Sequence, residues 1–391
     1  MTDTETLAGE ISPMTAVAEE YLRGRRCVVK VGSALIYPDG EGPDMDTLRG
    51  IAEDIAALRK AGTAVVLVSS GAVAAGRSLM GSKKRPKRLE EKQALAALGQ
   101  PHLMRAWSET FAKINLRVAQ GLLTLDDTEN RRRWVNARNT FNRLIRYGAI
   151  PIVNEHDTVA TDEIRYGDND RLAARVAQLV SADSLLLLSD IDGMYTANPT
   201  DDPDARRMQV IEEITPEIYA MAGGPGSSVG TGGMKSKVDA ARIATAAGCA
   251  VAIAPGQPEH PVTALRNGGN CTWFLPHVKP ETARRQWIAH AIRDDGAIII
   301  DEGAETALKE GKSLLPVGIT DVKGDFDKGD TVRIENEEGA VLARGLVAYR
   351  ASDAYRLIGA QSEEIEERLG FIGPVALIHR NDLVLVTDDQ S

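Results

Sequence analysis

The chain has 391 residues, of which 43% are apolar and 26% charged, which is ordinary for a globular protein of two or three domains. Its formal net charge of −10 argues against a general nucleic-acid coat, since such proteins carry an excess of Lys and Arg. No run approaches 18 apolar residues and the first 26 lack a signal-peptide core, so we expect a cytoplasmic protein without membrane contact.

The cysteines give no sign of a metal site or a disulfide framework. Cys27, Cys249 and Cys271 are scattered, form no CxxC pair and have no His at ligand spacing. We therefore expect buried, reduced thiols.

Apolar strands and amphipathic helices alternate from Cys27 to about Pro276. In chain order we predict the strand CVVKVGSALI, helix 44–61, the strand TAVVLVSS, helix 89–113, the strand RVAQGLLT, helix 131–147, the strand AIPIVNE, helix 169–180, the strand SLLLLSD, helix 234–247 and the strand CAVAIAPG. Continuous apolar strands separated by helices indicate an α/β fold with a mostly parallel sheet between helical layers. Ligands of such sheets bind at the carboxyl ends of the strands.

The pattern changes after about Trp287, where short strands alternate with Gly and Asp turns and indicate a small β-rich domain. The predicted organisation is a disordered N-terminal extension (1–25), an α/β domain (26–276), a linker (277–295) and the β-rich domain (296–391).

A glycine-rich segment, Gly223–Lys237, is the first candidate for binding phosphate. No P-loop is present, because Gly311-Lys312-Ser313 has Thr306 where that motif needs its first glycine. The segment leads into a predicted helix, whose free N–H groups favour anions, and it places Lys235 and Lys237 in the first turn. A plain flexible loop is the alternative interpretation.

Charged residues at predicted strand ends form the second group of candidates. Lys30 stands inside an apolar strand, where an unpaired ammonium is costly, although a lysine at the sheet edge could extend to water. The clusters NEHD (154–157) and GDND (167–170) supply acids that need nearby cations, or they are simply Asx-capped loops.

Taken together, these candidates fit phosphoryl transfer to a carboxylate. The set contains lysines, acids and a glycine-rich loop, but no activated Ser, Cys or His. A carboxylate nucleophile is already ionised at neutral pH and needs no general base. It needs alignment with the phosphoryl donor and relief of charge repulsion, which two lysines would provide.

The motifs VKVGSALI, VVLVSSGAVAAG, IPIVNEHDTVATDEI, GDNDRLAA, LLLLSDIDGMYTANP and GTGGMKSKVDAA, in this order, resemble those of the glutamate 5-kinases of the amino acid kinase family. The segment SLLPVGITDVKGDFDKGDTVRI is similar to the PUA domain of the bacterial members. The resemblance covers roughly 26–380. His156 and Ser189 depart from the family pattern, where Asn and Thr are common, and both keep hydrogen-bonding capacity.

The resemblance implies ATP-dependent phosphorylation of the L-glutamate side-chain carboxylate, the first step of proline synthesis, with Mg²⁺ carried on ATP. Lys30 and Lys237 match the lysines that neutralise the transferred phosphate, and Asp170 matches the acid that holds both. The implied glutamate-binding residues are Ser70, Asp157 and Asn169. The implied ATP-binding residues are Lys30, Ser189, Asp190, Thr231, Gly232, Gly233, Met234, Lys235, Ser236 and Lys237.

The family further implies a homo-oligomer that proline inhibits.

Two alternative functions remain. One alternative is another carboxylate kinase of the same fold, such as an acetylglutamate kinase, but the acid at Asp157 suits a free ammonium group. The other is an RNA-binding PUA protein with a degenerate kinase domain. Residues 297–391 contain 10 basic and 19 acidic residues, which argues against nucleic acid as a partner. The basic loop 83–88 is either a solvated mobile loop or a flap near anionic substrates.

Overall fold

The computed structural model describes residues 13–38, 42–82, 84–159, 169–223, 233–289 and 296–386. The chain divides into two compact units: Met1–Thr128 with Ala137–Pro280, and Glu129–Asn136 with Glu281–Ser391. The helices are α1 (Pro13–Leu22), α2 (Ser33–Ile36), α3 (Met45–Lys60), α4 (Ala72–Leu79), α5 (Leu89–Ala112), α6 (Leu125–Glu129), α7 (Arg131–Arg146), α8 (Asn169–Val180), α9 (Pro216–Met221), α10 (Met234–Ala246), α11 (Pro261–Arg266), α12 (Pro280–Ala289), α13 (Glu302–Lys309), α14 (Ala351–Arg356) and α15 (Ile365–Leu369). The strands are β1 (Arg26–Val31), β2 (Ala64–Ser69), β3 (Arg117–Leu123), β4 (Ala149–Glu155), β5 (Ser184–Ser189), β6 (Val210–Ile211), β7 (Ala250–Pro255), β8 (Thr272–Phe274), β9 (Gly296–Ile300), β10 (Ile319–Gly324), β11 (Thr331–Asn336), β12 (Val341–Leu346) and β13 (Leu383–Leu385).

The first unit is built on a mostly parallel sheet. Within the described residues its eight strands run in the order β3-β4-β2-β1-β5-β7-β8-β6, and β8 is antiparallel to β7. Strands β1, β2, β5 and β7 are buried almost throughout, as expected for strands covered on both faces. The predicted fold class is confirmed.

The register of the central strands brings three strand ends together. Lys30 on β1 lies opposite Val68 of β2 and Leu187 of β5. Beyond the strands, the Ser70 N–H donates to the Val31 carbonyl and the Gly32 N–H donates to the Leu188 carbonyl, each at 3.2 Å. These bonds fix the backbone at the carboxyl edge of the sheet, where parallel α/β folds bind ligands.

The prediction of disorder for 1–25 is wrong for residues 13–22, which form α1. Met14, Ala18 and Leu22 recur every fourth residue, so they share one helix face, and all three are buried. Tyr21 also stacks on Trp273, with ring centroids 5.9 Å apart. The apolar spacing that forms this helix is present in the sequence but was not recognised. Residues 1–12 lie outside the described part.

The second unit contains the β-rich segment. In the part of it that the structure describes, five strands run in the order β10-β9-β11-β12-β13. Its core includes Ile298, Ile300, Val332 and Ile334, which face helices α13 to α15 in one apolar cluster. The segment Glu129–Asn136 groups with this unit, and the Arg131 guanidinium donates to the Thr331 hydroxyl. The exact boundaries given in the sequence analysis remain predictions.

No helix among the described residues is long and apolar enough to cross a membrane.

Helices α4 and α5 pack at backbone distance, because glycines face each other. A Cβ built on Gly99 would overlap the Ala72 carbonyl oxygen and the Gly76 nitrogen, and a Cβ on Gly76 would overlap the Leu95 carbonyl. Neither obstacle is a side chain that could rotate away. The two helices therefore need glycine at both positions to approach this closely.

We expect Gly99→Ala to destabilise the fold by about 1–3 kcal/mol, because overpacking forces the two backbones apart. In an exposed helix the same change would be stabilising. Leu98→Ala, at an exposed position on the same helix, is the matched control and should change stability by less than about 0.5 kcal/mol. Urea unfolding measures both, and a Gly99→Ala variant as stable as the wild type would refute the close packing.

Candidate active site

Three charged residues meet at the carboxyl edge of the sheet. Lys30 comes from the end of β1, Asp170 from the first turn of α8 and Lys237 from the first turn of α10. Lys30 Nζ lies 2.6 Å from Asp170 Oδ1, and Lys237 Nζ lies 3.1 Å from Asp170 Oδ2. The three residues are only 7%, 1% and 2% exposed. We call Lys30, Asp170 and Lys237 the Asp170 cluster.

The two lysines of the Asp170 cluster keep its carboxyl group ionised. Burial opposes ionisation of Asp170, but the ammonium groups of Lys30 and Lys237 outweigh it and hold the pKa of that carboxyl below its usual range. Two ammonium groups held close together at the carboxyl edge of a parallel sheet suit the stabilisation of a transferred phosphoryl group. Ser236 adds a hydroxyl that donates to Asp170 Oδ2 at 3.0 Å.

A chain of uncharged polar side chains lies beside the cluster. The Asn169 amide donates to Ser70 Oγ at 2.7 Å and to Asn154 Oδ1 at 2.9 Å. The Asn154 amide donates in turn to Gln100 Oε1 at 2.8 Å. The structure thus joins Ser70 and Asn169 to Asn154 of the NEHD cluster, and it adds Gln100, which was not among the candidates. Gln100 lies inside the long helix α5, where sequence alone gave no sign of a role.

Asp157 follows β4 and is half-buried. Desolvation raises the pKa of its carboxyl to about 6, although a backbone hydrogen bond and His156 act in the opposite direction. Among the described residues, Asp157 has no hydrogen bond or ion pair to the Asp170 cluster. It stands apart as an acid that titrates close to neutral pH.

The predicted nucleotide-binding residues fall into two groups. Ser189 ends β5 and donates to Asp190 Oδ1 at 2.9 Å, and the Asp190 carbonyl accepts from Gln257 Nε2 at 3.0 Å. Gly233 is the N-cap of α10, and Met234 is its first residue. Thr231 and Gly232 lie outside the described residues.

Lys235 has a different environment from Lys237, although both belong to the first turn of α10. Its Nζ lies 5.7 Å from the ring centroid of Tyr219 on α9, and Arg242 lies over the same ring at 5.6 Å. The Tyr219 hydroxyl donates to Asp239 Oδ1 at 2.9 Å. Lys235 therefore contacts an aromatic side chain rather than the Asp170 cluster.

Comparison with known proteins shows the family to which the chain belongs. Residues 25–255 match the amino acid kinase family and residues 296–369 match the PUA domain. The chain belongs to the amino acid kinase family. It is 54% identical over 362 residues to the glutamate 5-kinase of Paramagnetospirillum magneticum, covering 92% of this chain and 98% of that protein. It is 54% identical over 360 residues to the glutamate 5-kinase of Agrobacterium fabrum, covering 92% of each. The resemblance to the glutamate 5-kinases is confirmed.

Asp170→Asn tests the electrostatics of the cluster. The pKa of Asp170 is lowered in the folded state, so its ionisation stabilises the fold above the unfolded-state value of about 3.9, and this stabilisation is lost as pH falls toward the folded-state pKa. Removing one partner of a buried ion pair costs about 3–5 kcal/mol. We expect Asp170→Asn to lower the free energy of unfolding by about 3–5 kcal/mol near pH 7. Below about pH 4 the difference in this free energy between the variant and the wild type should become smaller.

Urea unfolding as a function of pH measures this difference. Asp204→Asn, at an exposed acid of the same unit, is the control and should unfold like the wild type. If the wild type exceeded the variant in free energy of unfolding by the same amount from pH 7 to below pH 4, Asp170 would not be the ionised partner of the lysines.

Proposed function

We propose that the chain is an ATP-dependent kinase that phosphorylates the side-chain carboxylate of L-glutamate, giving ADP and L-glutamyl 5-phosphate. The observation that carries this proposal is the Asp170 cluster, in which two buried lysines share one carboxylate at the carboxyl edge of a parallel sheet. The curated relatives named glutamate 5-kinase identify the substrate.

The chemistry requires little from the protein beyond charge and alignment. A glutamate carboxylate oxygen forms the new bond to the γ-phosphorus, and the bond from that phosphorus to the bridging oxygen breaks, leaving its electron pair on ADP. The glutamate side chain is ionised at neutral pH, so no proton has to be removed. Lys30 and Lys237 neutralise the phosphoryl oxygens, each pair contributing roughly 4 kcal/mol at about 4 Å and an effective dielectric near 20.

Asp170 acts in this mechanism as a positioning residue. Its carboxylate binds both lysines, and its lowered pKa keeps it from serving as a proton acceptor near pH 7. By holding each ammonium group in one place, it limits the reorganisation needed when negative charge develops on the transferring group.

The polar chain at Asn169 fits an amino acid. Both Asn169 amide hydrogens are used, on Ser70 and Asn154, so its Oδ1 is left to accept from an ammonium group. The Ser70 hydroxyl accepts from Asn169 and keeps its own proton for a carboxylate. In the proposal, Asp157 pairs with the substrate ammonium, which an acetylglutamate kinase would not require.

The proposed nucleotide site comprises Ser189, Asp190 and the N-terminus of α10, with Thr231 and Gly232 included from the motif alone. Family membership implies ATP as the donor. The family resemblance implies Mg²⁺, which is proposed to be carried on the ATP phosphates. There it would shield their charge and leave the lysines to contact the γ-phosphoryl oxygens.

The remaining proposals rest on the family resemblance. They are cytoplasmic proline biosynthesis, proline as a feedback inhibitor and assembly into a homo-oligomer. The acidic balance of residues 297–391 supports a PUA domain that does not bind RNA.

An ADP-release assay with glutamate, N-acetylglutamate and aspartate tests which substrate the chain phosphorylates. Turnover with N-acetylglutamate alone would replace this function by the acetylglutamate kinase alternative.

We expect Lys30→Met and Lys237→Met each to lower kcat by at least ~10²-fold, because each removes charge stabilisation of the transferring group. Lys113→Met, at an exposed lysine just after α5, is the control. Steady-state kinetics measures the effect, and circular dichroism verifies folding. Near-normal kcat in either variant would remove that lysine from the mechanism.

Asp157 gives the proposed reaction a pH dependence. Its folded pKa is about 6, so the free enzyme holds an ionised acid for the glutamate ammonium above that pH and loses it below. We expect kcat/KM for glutamate to fall up to about tenfold per pH unit below about 6. Asp157→Asn should raise KM for glutamate above about pH 6, where the wild-type acid is ionised, and should remove this slope. An unchanged KM in the variant above that pH would exclude Asp157 as the ammonium ligand.

A further inference from the structure

Gln100 on α5 lies at one end of the polar chain beside the Asp170 cluster. Its Oε1 accepts from Asn154 Nδ2 at 2.8 Å, and Asn154 Oδ1 accepts in turn from Asn169 Nδ2 at 2.9 Å. Asn154 and Asn169 are only 4% and 5% exposed. An amide of this chain that lost its protein partner would therefore have little water to replace it, and leaving a buried polar group unpaired is costly.

The hydrogen bond to Gln100 determines which way the Asn154 amide points. An amide group presents an oxygen on one side and an NH2 on the other, and the two are so alike in size that hydrogen bonds decide between the two orientations. Because Gln100 Oε1 accepts from the Asn154 NH2, the Asn154 oxygen faces Asn169. Without an acceptor at position 100, the Asn154 amide could turn over and present its NH2 to Asn169.

The orientation of the Asn169 amide follows from that of Asn154. In the structure the Asn169 N–H groups are used on Asn154 and Ser70, which leaves Oδ1 to accept from a substrate ammonium group. Two NH2 groups repel each other, so a turned Asn154 would force Asn169 to turn as well. Asn169 would then contact Asn154 with its oxygen and present an NH2 group to the ammonium.

Helix α5 holds this polar chain at both ends. Gln100 and Trp107 are seven residues apart, which is two helical turns, so they share one face of the helix. The Trp107 indole donates to Ser69 Oγ at 2.8 Å, and the Ser69 hydroxyl donates to the Ser70 carbonyl at 3.1 Å. The position of Gln100 is thus set by the packing of a long helix, which includes the close contact at Gly99.

We propose that Gln100 is a positioning residue for substrate selection, which acts through Asn154 to keep Asn169 Oδ1 directed at the substrate ammonium group. The inference rests on the proposed function, because it takes glutamate as the substrate. The ammonium group takes no part in phosphoryl transfer, so its contacts are the same in the ground state and the transition state. Loss of Gln100 should therefore raise KM for glutamate and leave kcat nearly unchanged.

Steady-state kinetics of Gln100→Met tests this inference, because methionine has a similar length and lacks the amide oxygen. We expect KM for glutamate to rise by at least about tenfold, the effect of losing one hydrogen bond to a charged group. KM for ATP and kcat should stay within about twofold of the wild type. His102→Met, at an exposed position of the same helix, is the matched control and should behave like the wild type. An unchanged KM for glutamate, or an equal rise in KM for ATP, would overturn the inference.

A double variant separates positioning from a general effect on the structure. Asn169→Ala removes the acceptor through which Gln100 is proposed to act. In that background Gln100→Met should change KM for glutamate by less than about twofold, since residues that act as one unit are not additive. If Gln100→Met raised KM by the same factor with and without Asn169, it would act by another route and the inference would be wrong.

Neutron diffraction from deuterated wild-type crystals with glutamate bound does not depend on the folding of any variant. It should show the Asn154 deuterons directed at Gln100 and Asn169 Oδ1 within hydrogen-bond distance of the glutamate ammonium group. The opposite orientation of either amide would overturn the inference. Failure of the proposed function is recognised separately, because the wild type would then release no ADP with glutamate, whatever the variants show.

Discussion

The ion pairs between Asp170 and two lysines are the constraint on which the site depends. They connect three elements that are distant in sequence: β1 through Lys30, α8 through Asp170 and α10 through Lys237. Buried ion pairs rarely add much stability over apolar packing, but breaking one is costly. The fold thus holds two buried ammonium groups close together on one carboxylate.

Packing in the first unit explains why the neighbouring polar chain is in place. Gly76 and Gly99 let α4 and α5 approach at backbone distance, and α5 then brings Gln100 to Asn154 at the end of β4. Trp107 on the same helix donates to Ser69 Oγ at 2.8 Å, next to Ser70. Helix α5 therefore orients the amides beside the Asp170 cluster. Core packing and the geometry of the polar chain are coupled through one helix.

The periodic features of the fold could be predicted from the sequence, and the non-periodic contacts could not. The buried strands and the apolar stripe of α3 follow from local spacing, and Lys30 was a candidate because a lysine interrupts an apolar strand. Helix α1 is an exception, because Met14, Ala18 and Leu22 have helical spacing although the sequence analysis predicts disorder for this extension. Gln100 could not be predicted, because its partner Asn154 is 54 residues away in sequence and no local sequence pattern indicates that contact.

Asp157 and Asp170 show how one residue type acquires two functions from its surroundings. Desolvation acts on both carboxyls and favours the neutral form. At Asp170 the two ammonium groups outweigh this desolvation, so the carboxyl group stays ionised near neutral pH and holds the lysines in place. At Asp157 the opposing effects of His156 and a backbone hydrogen bond do not outweigh burial, and the pKa is raised to about 6. In the proposed reaction the substrate ammonium is the missing cation, so glutamate binding would restore the charge that burial disfavours. The fold thus fixes the charge state of the Asp170 cluster, whereas the charge state of Asp157 would depend on the bound substrate. In the proposed reaction, stabilisation of the phosphoryl group and selection of the substrate would therefore be carried out by separate acids.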